Sequence, residues 1–407
     1  MAYRHGVYVS EVPTSLLPMR EVYARLPFVV GTAPVDTLPA EAEKPVNKPV
    51  LCFSLEEYVA AFGSTTDPAS YTLAEAAEVF FKLYRSGPVV FVNVYDPAAH
   101  AGGVGDVTAA DIIGGIDGAT GKKTGLELVD SVFPMFRKVP GQILAPGFSQ
   151  DPTVAVVMAA KAVSINAHFK ATALADVPVA GIDGYTAVPG WKNTNNYTDE
   201  HMVVCWPKVR VGNHAYWLSC HAAALAMEVD AGHEDIPFVS PSNHRLSIIG
   251  ADHDGEELFL GPEQANYLNS EGIVTALNFD GGWKLWGNRT GVYPSVTDVK
   301  DSFWPIRSMF NWLANTLTLT YWQKVDYPLR RREIHTIVDS ANIWLNGLAA
   351  REVILGGRCA FLESENPITD LMDGIARFHV YWTPPSPMRD LEFITEYDPR
   401  YLATLFE

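Results

Sequence analysis

The residues able to carry chemistry fall into short groups, and each group is incomplete. Ser242-Asn243-His244 places a hydroxyl and an imidazole two positions apart in a polar turn after Pro241. With a distant Asp, that pair makes the minimum set for a serine nucleophile, its base and an orienting acid. No GxSxG elbow presents a serine anywhere in the chain, and a loop whose Asn and Ser bond nearby backbone accounts for the same residues. Gly103-Val104-Gly105-Asp106-Val107-Thr108 has half of a dinucleotide loop but lacks the third glycine and precedes a turn-rich stretch. His233-Glu234 lacks the second histidine of a zinc-protease helix, and Pro237 breaks the helix that motif requires. Asp252-His253-Asp254-Gly255 opens like a calcium loop without the further ligands of an EF-hand, and reads as a turn. The four cysteines, Cys52, Cys205, Cys220 and Cys359, form no CxxC pair and read as reduced, mostly buried thiols. The motifs therefore name no catalytic residue, no metal ligand and no cofactor. The enzymatic alternative is a cytoplasmic α/β hydrolase built around Ser242 and His244.

Composition narrows the remaining classes. At 407 residues the chain is long enough for two or three domains with real cores. A formal net charge of −17 argues against nucleic-acid binding and suits solubility at high copy number. No apolar run is long enough to span a bilayer, and Met1 to Ser10 has no apolar signal core, so the expectation is a protein made and kept in the cytoplasm. The one basic run is Arg330-Arg331-Arg332. It opens a helix, where positive charge opposes the dipole. From Lys300 to Arg351 seven Lys and Arg stand against four Asp and Glu, a local excess of basic charge. That surface suits either solvent or docking to an acidic partner.

The elements that would position these groups alternate. Phe28–Pro34 reads as a buried strand and loop, Leu73–Tyr84 as an amphipathic helix, and Val89–Val94 as a parallel strand. His100 to Lys123 is Gly-rich and polar, an excursion within about residues 98–125. The alternation resumes with a strand at Gln142–Gly147, a helix over Thr153–Ala171, short strands at Val177–Val179 and His201–Trp206, an Ala-rich helix over Ala215–Met227 and a strand at Ile273–Phe279. Repeated β-α-β units imply a mostly parallel sheet with helices on both faces. Beyond Thr290 the texture changes. Phe303–Trp322 and Arg332–Leu348 read as helices and Arg358–Phe361 and Ile375–Tyr381 as strands, a separate α+β unit. The expected organisation is an extended arm over 1–27, an α/β core over 28–298, an α+β domain over 299–387 and a second arm over 388–407.

The two ends do not fit inside that plan. Tyr3 to Val12 is β-branched and aromatic, and Pro13, Pro18 and Pro27 then exclude a long helix. Such an arm must pair with something, its own sheet or another. At the other end, Leu391, Phe393, Thr395 and Tyr397 alternate with Asp390, Glu392 and Glu396, Ile394 being the exception. Alternation of this kind is a half-buried strand. The Thr383-Pro384-Pro385-Ser386-Pro387 run cuts it off from the preceding element. The segment needs a sheet elsewhere.

In their order, several segments resemble one family. His5-Gly6-Val7-Tyr8-Val9-Ser10-Glu11-Val12, Gly31-Thr32-Ala33-Pro34, Thr124-Gly125-Leu126 and Leu144-Ala145-Pro146-Gly147 are similar to segments of contractile tail sheath proteins of phages. So are Ser240-Pro241-Ser242-Asn243, Trp286-Gly287-Asn288-Arg289-Thr290 and the region from Gly356-Gly357 to Pro384-Pro385. The resemblance spans nearly the whole chain and is closest to the temperate long-tailed phage type and related bacteriocin particles. It implies a structural protein whose middle domain looks like a subtilisin-type α/β fold without a protease site. It further implies self-assembly as hexameric rings stacked around a tail tube, with baseplate and tail terminator proteins as further partners and the phage tail as location. Each subunit would lend its arms to neighbours and complete a small sheet in their C-terminal domain. The residues so implicated are Tyr3, Val7 and Val9 in the first arm and Leu391, Phe393 and Tyr397 in the second. Arg330, Arg331 and Arg332 are the candidates to face the tube or another partner. Gly190 to Tyr197 reads as a surface loop in which the chain departs from a lean version of the family.

Overall fold

Five-residue apolar runs dictate the centre of the molecule. The computed structural model describes residues 17–39 and 41–406. Strands β1 (Pro27–Gly31), β2 (Val50–Cys52), β3 (Val89–Asn93), β4 (Gln142–Leu144), β5 (Thr172–Asp176) and β6 (Met202–Cys205) belong to one sheet. With β11 (Ile273–Asn278) and β12 (Trp283–Trp286) it has eight strands, in the order β12-β11-β6-β5-β4-β1-β3-β2. Six neighbouring strands, β11 to β3, run parallel, and antiparallel β12 and β2 close the edges. β1, β3, β4, β5 and β6 are buried at every position. That is what a parallel sheet covered on both faces requires. The Ala-rich helix Leu218–Ala231 is buried on nearly every side, and its row of alanines lets it sit close to β5.

Several elements depart from the sequence expectation for local reasons. The helix after β4 runs over Pro152–Val163 rather than to Ala171. Asn166 and Ala167 turn left-handed at φ 52° and 61°, and Ile165 bridges Phe169. The next strand is Thr172–Asp176, so Val177–Val179 stands beyond its end. Val188–Thr194 is a helix and Tyr197 is buried, its hydroxyl donating to the Ser149 carbonyl at 2.7 Å; Gly190 to Tyr197 is therefore not an open surface loop. The polar excursion carries a short helix, Ala109–Ile113, whose Ile112 is buried.

Two hairpins were not foreseen. β7 (Lys208–Val211), β8 (His214–Tyr216), β9 (Gly250–His253) and β10 (Glu256–Leu258) make an antiparallel sheet in the order β10-β9-β7-β8. Asp254 and Gly255 both have positive φ, 53° and 87°, as a two-residue hairpin turn needs. The residues that open like a calcium loop are thus a β-turn.

The last hundred residues are built on two helices, Trp304–Tyr321 and Arg331–Ala350, and a hairpin of β13 (Gly356–Ala360) and β14 (His379–Thr383). β14 begins later than Ile375 because the Arg377 amide is held by Asn366 Oδ1 at 2.7 Å. Residues 17–26 lie against these helices. The Leu17 amide donates to Ser340 Oγ at 3.0 Å, the Arg20 amide to Thr320 Oγ1 at 2.9 Å, and Trp312 Nε1 to the Val22 carbonyl at 3.2 Å. Arg25 then pairs with Asp230 at 2.7 Å, both nearly buried.

Candidate intersubunit docking surface

The site begins with a hairpin too small to be a sheet. β13 and β14 pair antiparallel as Gly356↔Thr383, Gly357↔Trp382, Arg358↔Tyr381, Cys359↔Val380 and Ala360↔His379, with no third strand among the described residues. An isolated two-stranded hairpin is marginal in water. Here the 331–350 helix supports it, with Leu345 lying 3.2 Å from where a Cβ on Gly357 would be. One face is apolar. Cys359 is buried, Val380 and Trp382 pack against the core, and the Trp382 ring sits 4.8 Å from Phe310. The other face carries Arg358, Tyr381 and His379, the Arg358 guanidinium lying 4.3 Å from the Tyr381 ring centroid and His379 and Tyr381 stacking at 3.9 Å.

Residues 384–398 follow β14 with no regular structure and no ladder partner among the described residues. Leu391 is 66 % exposed, Phe393 86 % and Tyr397 75 %. The expected strand is therefore not a strand of its own chain. Its alternating residues stand in solvent, and the chain closes on a short turn of helix, Pro399–Phe406, that sequence reasoning missed. Tyr3, Val7 and Val9 lie outside the described residues.

Arg330, Arg331 and Arg332 are all exposed at the start of the 331–350 helix. Beside them, the turn joining the two long helices exposes Trp322, Val325, Tyr327 and Leu329. The structure does not bring this basic and aromatic tip to the small sheet by any hydrogen bond or ion pair among the described residues.

The enzymatic candidates come apart. Ser242 Oγ accepts the Gly287 amide at 3.0 Å, and no hydrogen bond joins it to His244 among the described residues. A more enzyme-like group, unread in the sequence, sits at the C-terminal end of β5. Ser219 Oγ and Ser149 Oγ both donate to Asp176 Oδ2, at 2.5 and 3.3 Å, and the Ser219 amide donates to Asp176 Oδ1 at 2.9 Å. Burial raises Asp176 to about 6 and neighbouring Glu75 to about 8. His221 is fully buried and pushed down to about 3, and it meets the Tyr84 hydroxyl at 3.2 Å rather than a serine. These hydroxyls are spent on the acid and sealed from solvent, so the group is a polar core, not a nucleophile with its base. Among the described residues no cluster of three or more His, Cys, Asp or Glu is placed to hold a metal, and no helix is long and apolar enough to cross a membrane.

No family model matches the chain. Over nearly its whole length it is 25% identical to the tail sheath protein of Burkholderia phage BcepMu, covering 99% of this chain and 98% of that protein. It is likewise 25% identical to the putative prophage major tail sheath protein of Pseudomonas aeruginosa strain UCBPP-PA14, covering 100% of both, and to the tail sheath protein of Escherichia phage P2, covering 99% and 98%. Among solved structures, the sheath complex of the extracellular contractile injection system PVC in its contracted state superposes with a TM-score of 0.70 at 14% identity, over 98% of this chain and 99% of that one. The contracted helical sheath of the anti-feeding prophage gives 0.69 at 17% identity, over 97% and 98%. The chain has the sheath-protein fold, a mixed and mostly parallel sheet with helices, and its relatives are tail sheath proteins rather than enzymes. The resemblance carried by the ordered segments is borne out, and the hydrolase alternative has no support among these relatives.

Proposed function

We propose that this chain is the repeating subunit of a contractile tail sheath, and that its exposed C-terminal segment is a strand donated to a neighbouring copy. The observation that carries the reading is the coexistence, among the described residues, of an alternating segment without a sheet and a two-stranded sheet without further strands. Strand addition joins the two through main-chain hydrogen bonds and alternate side-chain contacts. Each bond contributes about 0.5–1.5 kcal/mol net, so a handful per strand plus buried Leu391, Phe393 and Tyr397 makes a durable link. Tyr3, Val7 and Val9 take the same part in the first arm. Pro384 to Pro387 and Pro13 to Pro18 are the hinges.

In this reading residues 28–298 form the sheath core, with subtilisin-like topology and no protease site, and 299–387 the docking domain, flanked by arms 1–27 and 388–407. Subunits assemble as hexameric rings stacked around a tail tube in the host cytoplasm and become part of the virion tail. Arg330, Arg331 and Arg332 face the tube or another acidic partner, and baseplate and terminator proteins cap the stack. The extended lattice is kinetically trapped above the contracted one; new contacts between core domains supply the energy that drives the tube through a target envelope while the arms keep the mesh connected. Deleting 388–407 is expected to leave a folded monomer that does not polymerise. Tubes of the truncated chain under the electron microscope would show that the arm has no such role.

A further inference from the structure

We infer that Asn342 closes the β13 edge of the small sheet, so that a strand from a second copy of this chain adds only beside β14. The inference rests on the strand-donation reading above and adds which edge, which face and which residue decides.

The Asn342 side chain, on the 331–350 helix, makes two hydrogen bonds to one residue of β13. Its Nδ2 donates to the Cys359 carbonyl at 3.0 Å, and its Oδ1 accepts the Cys359 amide at 2.7 Å. This is the bonding an added antiparallel strand would offer, supplied by a side chain. It also fixes the ladder. In an antiparallel pair, residues alternate between bonding their partner and pointing outward. Since Cys359 points outward, so does its partner Val380, and so does Trp382 two positions on. On β13 the outward amide and carbonyl of Cys359 meet Asn342, while those of neighbouring Gly357 have no partner among the described residues. On β14 the outward amides and carbonyls of Val380 and Trp382 have no partner among the described residues.

The occupant is identified by the two faces of the vacant edge. A strand beside β14 continues the apolar row of Val380 and Trp382 on one face and the row of Arg358, Tyr381 and His379 on the other. The segment from 390 to 397 offers Leu391, Phe393 and Tyr397 to the first, and Glu392 and Glu396 to the second. The acids then lie along the one row of this sheet that carries Arg358 and His379. The same segment beside β13 would have to displace Asn342.

Cysteine pairs test this on the full chain under assembling conditions. Tyr381→Cys on β14 or Arg358→Cys on β13 is combined with Glu392→Cys, Ile394→Cys or Glu396→Cys. Directly opposed residues on adjacent strands have Cβ atoms about 4.5–5.5 Å apart, whereas a strand two places away is about 10 Å off, beyond disulfide reach. We expect chain-to-chain disulfides on non-reducing gels with Tyr381→Cys and none with Arg358→Cys. In the Asn342→Leu background, Arg358→Cys is expected to begin to cross-link. Cross-links to Arg358→Cys alone, with Asn342 intact, would overturn the edge assignment and leave strand donation standing. Polymers that form with no cross-link at either position would overturn donation of this segment itself. If Asn342→Leu folds, still cross-links through Tyr381→Cys and never through Arg358→Cys, the amide is not what closes the edge.

Discussion

Phe393 is the residue on which strand donation can be weighed. In the isolated chain its ring is 86 % exposed, so Phe393→Ala removes nothing from the folded subunit. Exposed substitutions of this kind stay within about 0.5 kcal/mol, and the melting temperature should hold. In the assembly the ring would be buried against a neighbour, and burying a Phe side chain contributes about 1.5–3 kcal/mol. Since about 1.4 kcal/mol is tenfold in an equilibrium constant, the concentration at which polymer appears should rise by roughly 10- to 150-fold. The assay is sedimentation of a dilution series of variant and parent chain, with calorimetry of the monomer alongside. If polymer onset moves less than about twofold while the melt is unchanged, the ring is not buried in any neighbour. A lowered melting temperature would instead place the segment against its own chain.

Two further outcomes follow from charge. Burial holds the Glu75 carboxyl at about 8 against 4.5 in solution. The folded chain therefore binds a proton that the unfolded chain releases, and stability falls as pH rises from about 4.5 to about 8, then levels. Glu75→Gln keeps an acceptor for the Trp217 amide, which now bonds Glu75 Oε1 at 2.6 Å. It should flatten most of that slope in urea melts across pH and be more stable than the parent by a few kcal/mol at pH 8. The residual fall below about 6 belongs to Asp176 and Asp230, both raised by burial to about 6. Reversing Arg330, Arg331 and Arg332 to Glu should leave the monomer melt unchanged, because all three are exposed. It should abolish salt-sensitive binding to an acidic partner surface, measured by co-sedimentation with tail tubes; binding undiminished at low salt would remove these arginines from the contact.

The parallel sheet was legible because its signal is local. Phe28-Val29-Val30, Val89 to Val92 and Ile273 to Leu277 are runs that can only be buried. What sequence missed was settled by contacts distant along the chain. The hairpins β7-β8 and β9-β10 carry charged residues such as Lys208, Arg210 and Asp252, and Arg210 and Asp252 pair with each other at 2.6 Å across strands far apart in sequence. Asp176 and Ser219 were unread for the same reason: forty-three positions separate them, and only the fold brings them together. The docking surface was half legible. Alternation from Leu391 to Tyr397 marked the segment proposed as the donor. The proposed acceptor edge on β14 turns on a single asparagine in a helix, bonded to Cys359, and Asn342 has no pattern that would mark it.

A donor strand must also avoid pairing with other donors, and its charges answer that requirement. Leu391, Phe393, Ile394 and Tyr397 are exposed on every free subunit. Short β-prone segments with low charge are aggregation hazards. Here Asp390, Glu392 and Glu396 stand among the apolar residues, with Arg389 before them and Arg400 after, the latter paired with Asp398 at 2.6 Å. Two such segments side by side would place like charges opposite one another, which is unfavourable, whereas the β14 edge offers Arg358 and His379. Under strand donation the acids would thus favour the acceptor sheet over a second donor. Glu392→Gln with Glu396→Gln keeps shape and hydrogen bonding but removes that discrimination. The doubly substituted chain should stay folded yet form irregular, thioflavin-binding aggregates at concentrations where the parent is monodisperse by light scattering. If it remains monodisperse and assembles like the parent, charge plays no part in choosing the partner, and main-chain pairing with the apolar row alone must carry the specificity.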